Sequence, residues 1–210
     1  VLPSDSGLKG AVIHLNSPYF KEIRRENGCV VARAGLPNTL FIQYMLEQDL
    51  GGAEFLSGIP GSLGGAIAMN AGSRGQSIDQ IVGSVRIVNF SGQSRNLKKE
   101  EINFNYRCSG LKDCVITEAC LKLPKCDRSQ TQLILDEYRD IRAKTQDLWH
   151  ASAGCMFKNP KEGGSSSGKL IEEAGLKVYT IGKAQVSVKH AIFIINLGGA
   201  SSKDVQTLIE

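Results

Sequence analysis

The stretch GGAEFLSGIPGSLGGAIAMNAGSRG, Gly51 to Gly75, decides how the rest of the chain is read. Its glycines fall at 51, 52, 58, 61, 64, 65, 72 and 75, around the short apolar segment Ala66-Ile67-Ala68-Met69. Glycine reaches positive φ at little steric cost and lets backbone approach a ligand closely. The run Gly58-Ile59-Pro60-Gly61-Ser62-Leu63-Gly64-Gly65 can therefore aim successive backbone N–H groups at an anion, as nests and helix N-termini do. The alternative is a tight turn into a buried helix whose neighbours pack too closely for side chains. The spacing does not fit G-x-G-x-x-G, so a Rossmann dinucleotide loop is excluded here.

Composition sets the outer limits. The 210 residues suffice for one large domain or two small ones, and 41% apolar residues suffice for a core. The net charge of +4 suits an anionic small molecule. No dense Lys/Arg tract or basic stripe interleaved with aromatics occurs, which argues against nucleic acid. No apolar run approaches the ~20 residues of a membrane helix, and no signal peptide is visible.

Cys108, Cys114, Cys120 and Cys126 recur every six residues, which invites a metal-site reading. No C-x-x-C pair exists, and His14, His150 and His190 lie far apart, so the usual zinc spacings are absent. Buried thiols behave as small hydrophobes, the reading adopted here. Disulfides would need an oxidising compartment, which nothing suggests. The expected location is cytoplasmic.

Along the chain, Ala11–Asn16 and Cys29–Ala34 read as short β-branched strands. Thr39–Gln48 reads as a helix with Asn38 or Thr39 as N-cap. Val82–Asn89 and Cys114–Leu123 read as strands, the first followed by a Ser91-Gly92 turn. Ser129–Leu148 has helical composition, with Leu133, Leu135, Tyr138, Ile141 and Arg142 in register. A boundary is expected near Pro124–Arg128, giving domains 1–126 and 127–210. The second has a helix near Leu170 and strands near Val178 and Ile192. The class is α+β. Gly163–Lys169 satisfies the G-x-x-x-x-G-K part of a P-loop, but Leu170 stands where Ser or Thr must ligate magnesium. ATP hydrolysis is therefore not expected.

The glycine segment GIPGSLGGAIAMNAG resembles the flavin-binding loop of the bacterial UDP-N-acetylenolpyruvoylglucosamine reductases. Further blocks follow in that family's order: Asn105-Tyr106-Arg107-Cys108-Ser109, Ser152–Pro160, Gly168–Lys177 and Ile181–Ala191. The resemblance implies an FAD-binding domain of the vanillyl-alcohol oxidase (PCMH) type over 1–126 and a small α+β substrate-binding domain over 127–210. It implies FAD as cofactor, NADPH as reductant, and reduction of UDP-N-acetylglucosamine enolpyruvate to UDP-N-acetylmuramate in peptidoglycan precursor synthesis.

By the same resemblance, Gly58, Ile59, Pro60, Gly61, Ser62, Gly64, Gly65, Asn70, Ala71 and Gly72 bind the cofactor. Arg107 is the catalytic arginine, whose permanent charge can hold a carboxylate bidentately as an enolate develops. Cys155 stands where most members carry the proton-donating serine. An ordinary thiol, with a pKa near ~8.5, is a stronger acid than an alcohol, so donation remains feasible. Tyr106, Lys158, Asn159, Lys169 and Gln185 are expected at the substrate, with Lys177 a weaker candidate.

The gap between Arg107 and Cys155 is short, as in members without a substrate-gating tyrosine. Gln146-Asp147-Leu148-Trp149-His150 replaces the usual Gln-Pro-Leu approach. The family's earlier Gly-rich flavin motif and its later catalytic glutamate are not found, so the sequence is expected to be a piece of a longer protein, and Glu210 is not that carboxylate. Rival readings are another FAD-linked oxidoreductase of the superfamily, or a non-catalytic flavin- or nucleotide-sugar-binding remnant. A metal is not expected.

Overall fold

Two β-branched runs, Val82–Asn89 and Cys114–Leu121, pair along most of their length and form the spine of an antiparallel sheet in a computed structural model that describes residues 3–160 and 164–210. In chain order the first unit, Ile13–Arg139, carries β1 (Ile23–Glu26), β2 (Cys29–Arg33), α1 (Asn38–Glu47) and α2 (Leu63–Ala68). It continues with the two-residue ladder of β3 (Gly72–Ser73) and β4 (Gln76–Ser77), then β5 (Val82–Asn89), β6 (Ser94–Lys98), β7 (Cys114–Leu121) and the start of α3 (Arg128–Thr145). The sheet order is β1-β2-β7-β5-β6, every pair antiparallel.

The β1–β2 hairpin turns on Asn27-Gly28, with φ of 49° and 79°. Asn-Gly is the pair that favours both positive φ values a two-residue hairpin turn demands. Strand β1, sequence Ile-Arg-Arg-Glu, was not expected, because as an edge strand its side chains are largely exposed and show no apolar alternation. The Ser91-Gly92 turn between β5 and β6 matches expectation, with Asn89 Oδ1 accepting from the Ser91 and Gln93 N–H groups.

One sheet face is covered by the helices. Val30, Ala32, Val85, Ala119 and Leu121 join Phe41, Met45, Phe55, Leu63 and Ile67 in one core. Each large side chain removed from water there contributes about 1.5–3 kcal/mol. The other face is polar: Glu118 receives the guanidinium groups of Arg24, Arg33 and Arg86 at 3.2–3.6 Å.

A register shift between Arg86 and Ile87 skips Thr117 and changes which residues of β7 face inward. Cys114 therefore packs against the core, while Cys120 lies on the polar face with Glu118. The six-residue spacing thus does not bring the thiols together. Burial, followed by the neighbouring Cys29 thiol, pushes Cys120 up to about 12. Among the described residues no group of three or more His, Cys, Asp and Glu side chains is placed to hold a metal ion.

Two local expectations need correction. Ala11–Asn16 forms no strand; Val12 and Ile13 are exposed, and β propensity does not form a strand without a partner ladder. Helix α1 starts one residue earlier than expected, with Pro37 at the N-cap and Asn38 inside the helix, because the Asn38 amide is used elsewhere. Its Nδ2 donates to the Ile59 carbonyl at 3.1 Å.

The second unit comprises Asp140–Glu210 and the described residues up to Val12. The division falls inside α3, between Arg139 and Asp140, whereas the sequence placed it at 126–127. The helix starts near that point, but Thr131 and Leu135 on its first turns are buried with the first unit. The unit contains β8 (Ala151–Cys155), α4 (Ser167–Glu173), β9 (Thr180–Ile181), β10 (Ala184–Val186), β11 (Phe193–Asn196) and α5 (Ser202–Ile209). Its sheet runs β8-β11-β10-β9, all antiparallel.

Ser201 and Asp204 form a reciprocal capping box on α5, and Asp5 adds a carboxylate accepting from the Ser202 N–H at 2.7 Å. Gly163, where the P-loop-like run begins, lies outside the described residues. Gly168 and Lys169 sit in the first turn of α4, whose N-cap is Ser166.

Candidate active site

In the first unit the glycine segment forms a bare loop feeding α2. Gly58 and Gly61 take φ of 72° and 118°, values that side chains resist. Ser62 caps the helix, its Oγ accepting from the Gly65 N–H at 3.4 Å. The loop is fastened at its back: Leu63 N–H donates to Leu36 O, Gly64 N–H to Ala34 O, and Asn38 N–H to Gly61 O. Among the described residues the Gly58, Gly61 and Ser62 N–H groups have no such acceptor. A cradle of bare backbone and available donors fits a diphosphate. The segment is the close-packed helix entry that the sequence allowed, with Gly64 seated on Ala34.

Asn70 and Ala71 follow α2 and are buried. Asn70 has φ of 41°, and its amide is turned inward: Nδ2 donates to Asn105 O at 3.1 Å and Oδ1 accepts from Asp79 N–H at 3.2 Å. Gly72 admits no side chain, since a Cβ there would lie 2.2 Å from the Gln76 carbonyl.

Arg107 sits at the tip of the Asn105–Cys108 turn, where the two end residues exchange backbone hydrogen bonds. Its φ is 54°, an unfavourable value for a long side chain. The guanidinium donates from Nη2 to Gly72 O at 2.7 Å and from Nη1 to Asn70 O at 3.5 Å. The Tyr106 ring lies 5.1 Å from it, within cation–π range, and is half exposed. Arginine, tyrosine and the end of the glycine segment are therefore brought together in one unit.

In the second unit Cys155 ends β8 opposite Phe193 of β11, after Gly154 at φ 85°. It is exposed. Burial lowers the pKa of the half-buried Arg142 of α3, and the charge of Cys155 opposes that shift. A guanidinium within electrostatic reach of the thiol was not anticipated from the sequence.

Lys158 is exposed, and its carbonyl accepts from Ser167 Oγ at 2.7 Å. Asn159 Oδ1 accepts from Ser167 N–H at 3.1 Å, which anchors the donor block to the start of α4. Lys169 pairs with Glu173 on the same helix, and Lys177 with Glu172. Gln185 donates to Thr180 Oγ1 at 2.9 Å, so its amide nitrogen is committed within the sheet.

Three polar residues escaped the sequence reading of roles: Asn38 and Ser109 in the first unit, and Arg142 in the second. Asn38 is buried under the glycine loop, and among the described residues no donor reaches its Oδ1. Ser109 stood within a quoted block but had no role assigned. For Arg142 the only sequence signal was its place in the helical register.

Residues 1–98 match the family described as FAD binding domain. Residues 145–210 match the C-terminal domain of UDP-N-acetylenolpyruvoylglucosamine reductase. The reductase of that name from Listeria innocua is 37% identical over 207 residues, covering 98% of this chain and 68% of that protein. The one from Pediococcus pentosaceus is 40% identical, with the same coverage of 98% and 68%. The crystal structure of the Thermus caldophilus enzyme superposes with a TM-score of 0.87 at 34% identity, covering 98% of this chain and 74% of that one. Identity at this level over nearly the whole sequence, with the same fold, places the chain in the UDP-N-acetylenolpyruvoylglucosamine reductase family.

Proposed function

We propose that this chain, with FAD as cofactor and NADPH as reductant, reduces UDP-N-acetylglucosamine enolpyruvate to UDP-N-acetylmuramate, a step of peptidoglycan precursor synthesis. The observation that carries the reading is Arg107, held by the carbonyls of Gly72 and Asn70 at the end of the glycine segment. The cofactor, when bound, supplies hydride to the vinyl CH₂ carbon of the substrate. The N–H groups of Gly58, Gly61 and Ser62 would be the donors for its diphosphate, and Ile59, Pro60, Gly64 and Gly65 would shape that loop.

Hydride addition leaves negative charge on the adjacent carbon, delocalised into the carboxylate as an enolate. Arg107 stabilises that charge, since a guanidinium stays protonated and meets a carboxylate with two donors. Cys155 gives the proton: the S–H bond breaks, a C–H bond forms, and the thiolate is reprotonated from water. Arg142 favours that thiolate electrostatically. Lys158 and the amide nitrogen of Asn159 are the donors for the substrate's diphosphate, with Lys169 on α4 a further cation for it, and Tyr106 packs at the substrate next to Arg107. The location proposed here is the cytoplasm. No helix among the described residues is long and apolar enough to cross a membrane.

The test is NADPH consumption by the FAD-loaded chain with and without the enolpyruvyl substrate, with the product identified by mass. Arg107→Ala is expected to lower kcat by a factor of roughly a hundred to a thousand. NADPH oxidation that ignores the enolpyruvyl substrate would move the assignment to another FAD-linked oxidoreductase. Failure to take up FAD would favour a non-catalytic remnant.

A further inference from the structure

Arg107 occupies a left-handed backbone conformation that is strained for a non-glycine residue, so its surroundings must hold it there. The turn that carries it is pinned to the end of α2 by two buried polar side chains. Ser109 is 1% exposed; its N–H and its Oγ both donate to Ala68 O, at 3.2 and 2.9 Å. Ser109 Oγ also accepts from the Leu111 N–H at 3.4 Å. Asn70 is 6% exposed and links three segments. Its N–H donates to Ile67 O in α2, its Nδ2 to Asn105 O in the turn, and its Oδ1 accepts from Asp79. Its own carbonyl receives Arg107 Nη1.

From this arrangement we infer that Asn70 and Ser109 are positioning residues for Arg107, and that the Asn70 side chain is not a cofactor ligand. Its backbone N–H, its carbonyl and both ends of its amide are already engaged within the protein. The two residues fix where the guanidinium stands relative to the glycine loop, because both are anchored on the one short helix which that loop begins. The inference rests on the catalytic reading of Arg107 for its effect on turnover.

Asn70→Gly is the informative variant. Glycine accepts the φ of 41° at lower cost while removing both side-chain bonds, so the fold is retained. Turnover of the FAD-saturated chain should fall roughly tenfold to a hundredfold, the usual effect of misplacing a catalytic group by about an ångström. The FAD dissociation constant, read by fluorescence quenching, should stay within about twofold. Ser109→Ala should lower kcat in the same direction by a smaller factor.

Solvent exchange of the Arg107 Nη protons, followed by NMR in the FAD-free chain, supplies a readout independent of activity. It should accelerate in both variants. Weaker FAD binding with kcat at saturation unchanged would overturn the inference and make Asn70 a cofactor ligand. Unchanged kcat with unchanged Arg107 exchange would also overturn it, since the turn would then hold itself. If Arg107→Ala leaves turnover intact, the catalytic reading fails, and the exchange measurement alone decides the positioning claim.

Discussion

Gly64 and Gly65 are adjacent in α2, yet adding a methyl group to each should have opposite effects. A Cβ on Gly64 would lie 2.7 Å from the Ala34 Cβ and 3.0 Å from the Ala34 carbonyl oxygen. Carbon atoms prefer about 3.5–4.0 Å, so close to an ångström must be opened. The neighbour is buried backbone and its first carbon, which has no flexible tip to give way. The Gly64 N–H also donates to Ala34 O at 2.8 Å, so moving the helix away weakens that bond. Overpacking of this kind costs about 1–3 kcal/mol, against about 1 kcal/mol gained in helix propensity. The net expectation for Gly64→Ala is a loss of up to roughly 2 kcal/mol, with no gain.

Gly65 is exposed, and the nearest atom to its hypothetical Cβ is Ser62 Oγ at 3.7 Å, ordinary contact. Gly65→Ala should therefore gain about 0.5–1 kcal/mol, from helix propensity and a less free unfolded chain. Urea unfolding of the FAD-free chain measures both, as opposite shifts of the midpoint at constant m-value. Gly64→Ala more stable than the parent would refute the seating of α2 on the Ala34 backbone. So would Gly65→Ala falling by as much as its neighbour.

Glu118→Gln leaves Arg24, Arg33 and Arg86 around an uncharged amide, and should destabilise the first unit by about 1–3 kcal/mol. Thermal melts would detect this, and replacing Arg33, the most buried of the three guanidiniums, with Met in the same background should lose less than the sum of the single changes. His190 is held below its usual range by burial and by the nearby Lys177, so the folded state favours the neutral ring. Its contribution is present above the unfolded value of about 6.5 and is lost as pH falls through the lower folded value. Stability of the wild-type chain should therefore decline as pH drops below about 6.5, and His190→Phe should flatten that part of the profile.

The strands β5 and β7 were legible because each is a β-branched run long enough to show itself, and the Ser91-Gly92 pair marked the turn after the first. Edge strand β1 was not, since an exposed Arg-Arg-Glu run carries no burial pattern, although Asn27-Gly28 beside it held the hairpin signal. The opposite error occurred at Ala11–Asn16, where β-branched residues had no strand to pair with. Chain propensity reports what a segment would accept, whereas the ladder depends on what lies beside it. The four-cysteine period failed for a related reason: one register shift against β5 separates the faces of Cys114 and Cys120.

The residue types of the candidate site can be read in the sequence, their orientation much less so. Asn70 belongs to the glycine segment by sequence, but whether its amide faces a ligand or its own backbone is settled by bonds to Asn105 and Asp79, residues that only folding brings near. An asparagine at positive φ is unremarkable, because its short polar side chain tolerates the left-handed region. An arginine there is different. Nothing in the string Asn-Tyr-Arg-Cys-Ser announces that Arg107 sits at φ 54°, and a glycine at that turn position would relieve the strain. The turn accepts the cost and ties the guanidinium to two carbonyls beyond α2. A surface arginine needs neither a strained backbone nor buried props beneath it. The combination of strain at the tip with Ser109 and Asn70 underneath is what a turn shaped around its guanidinium requires.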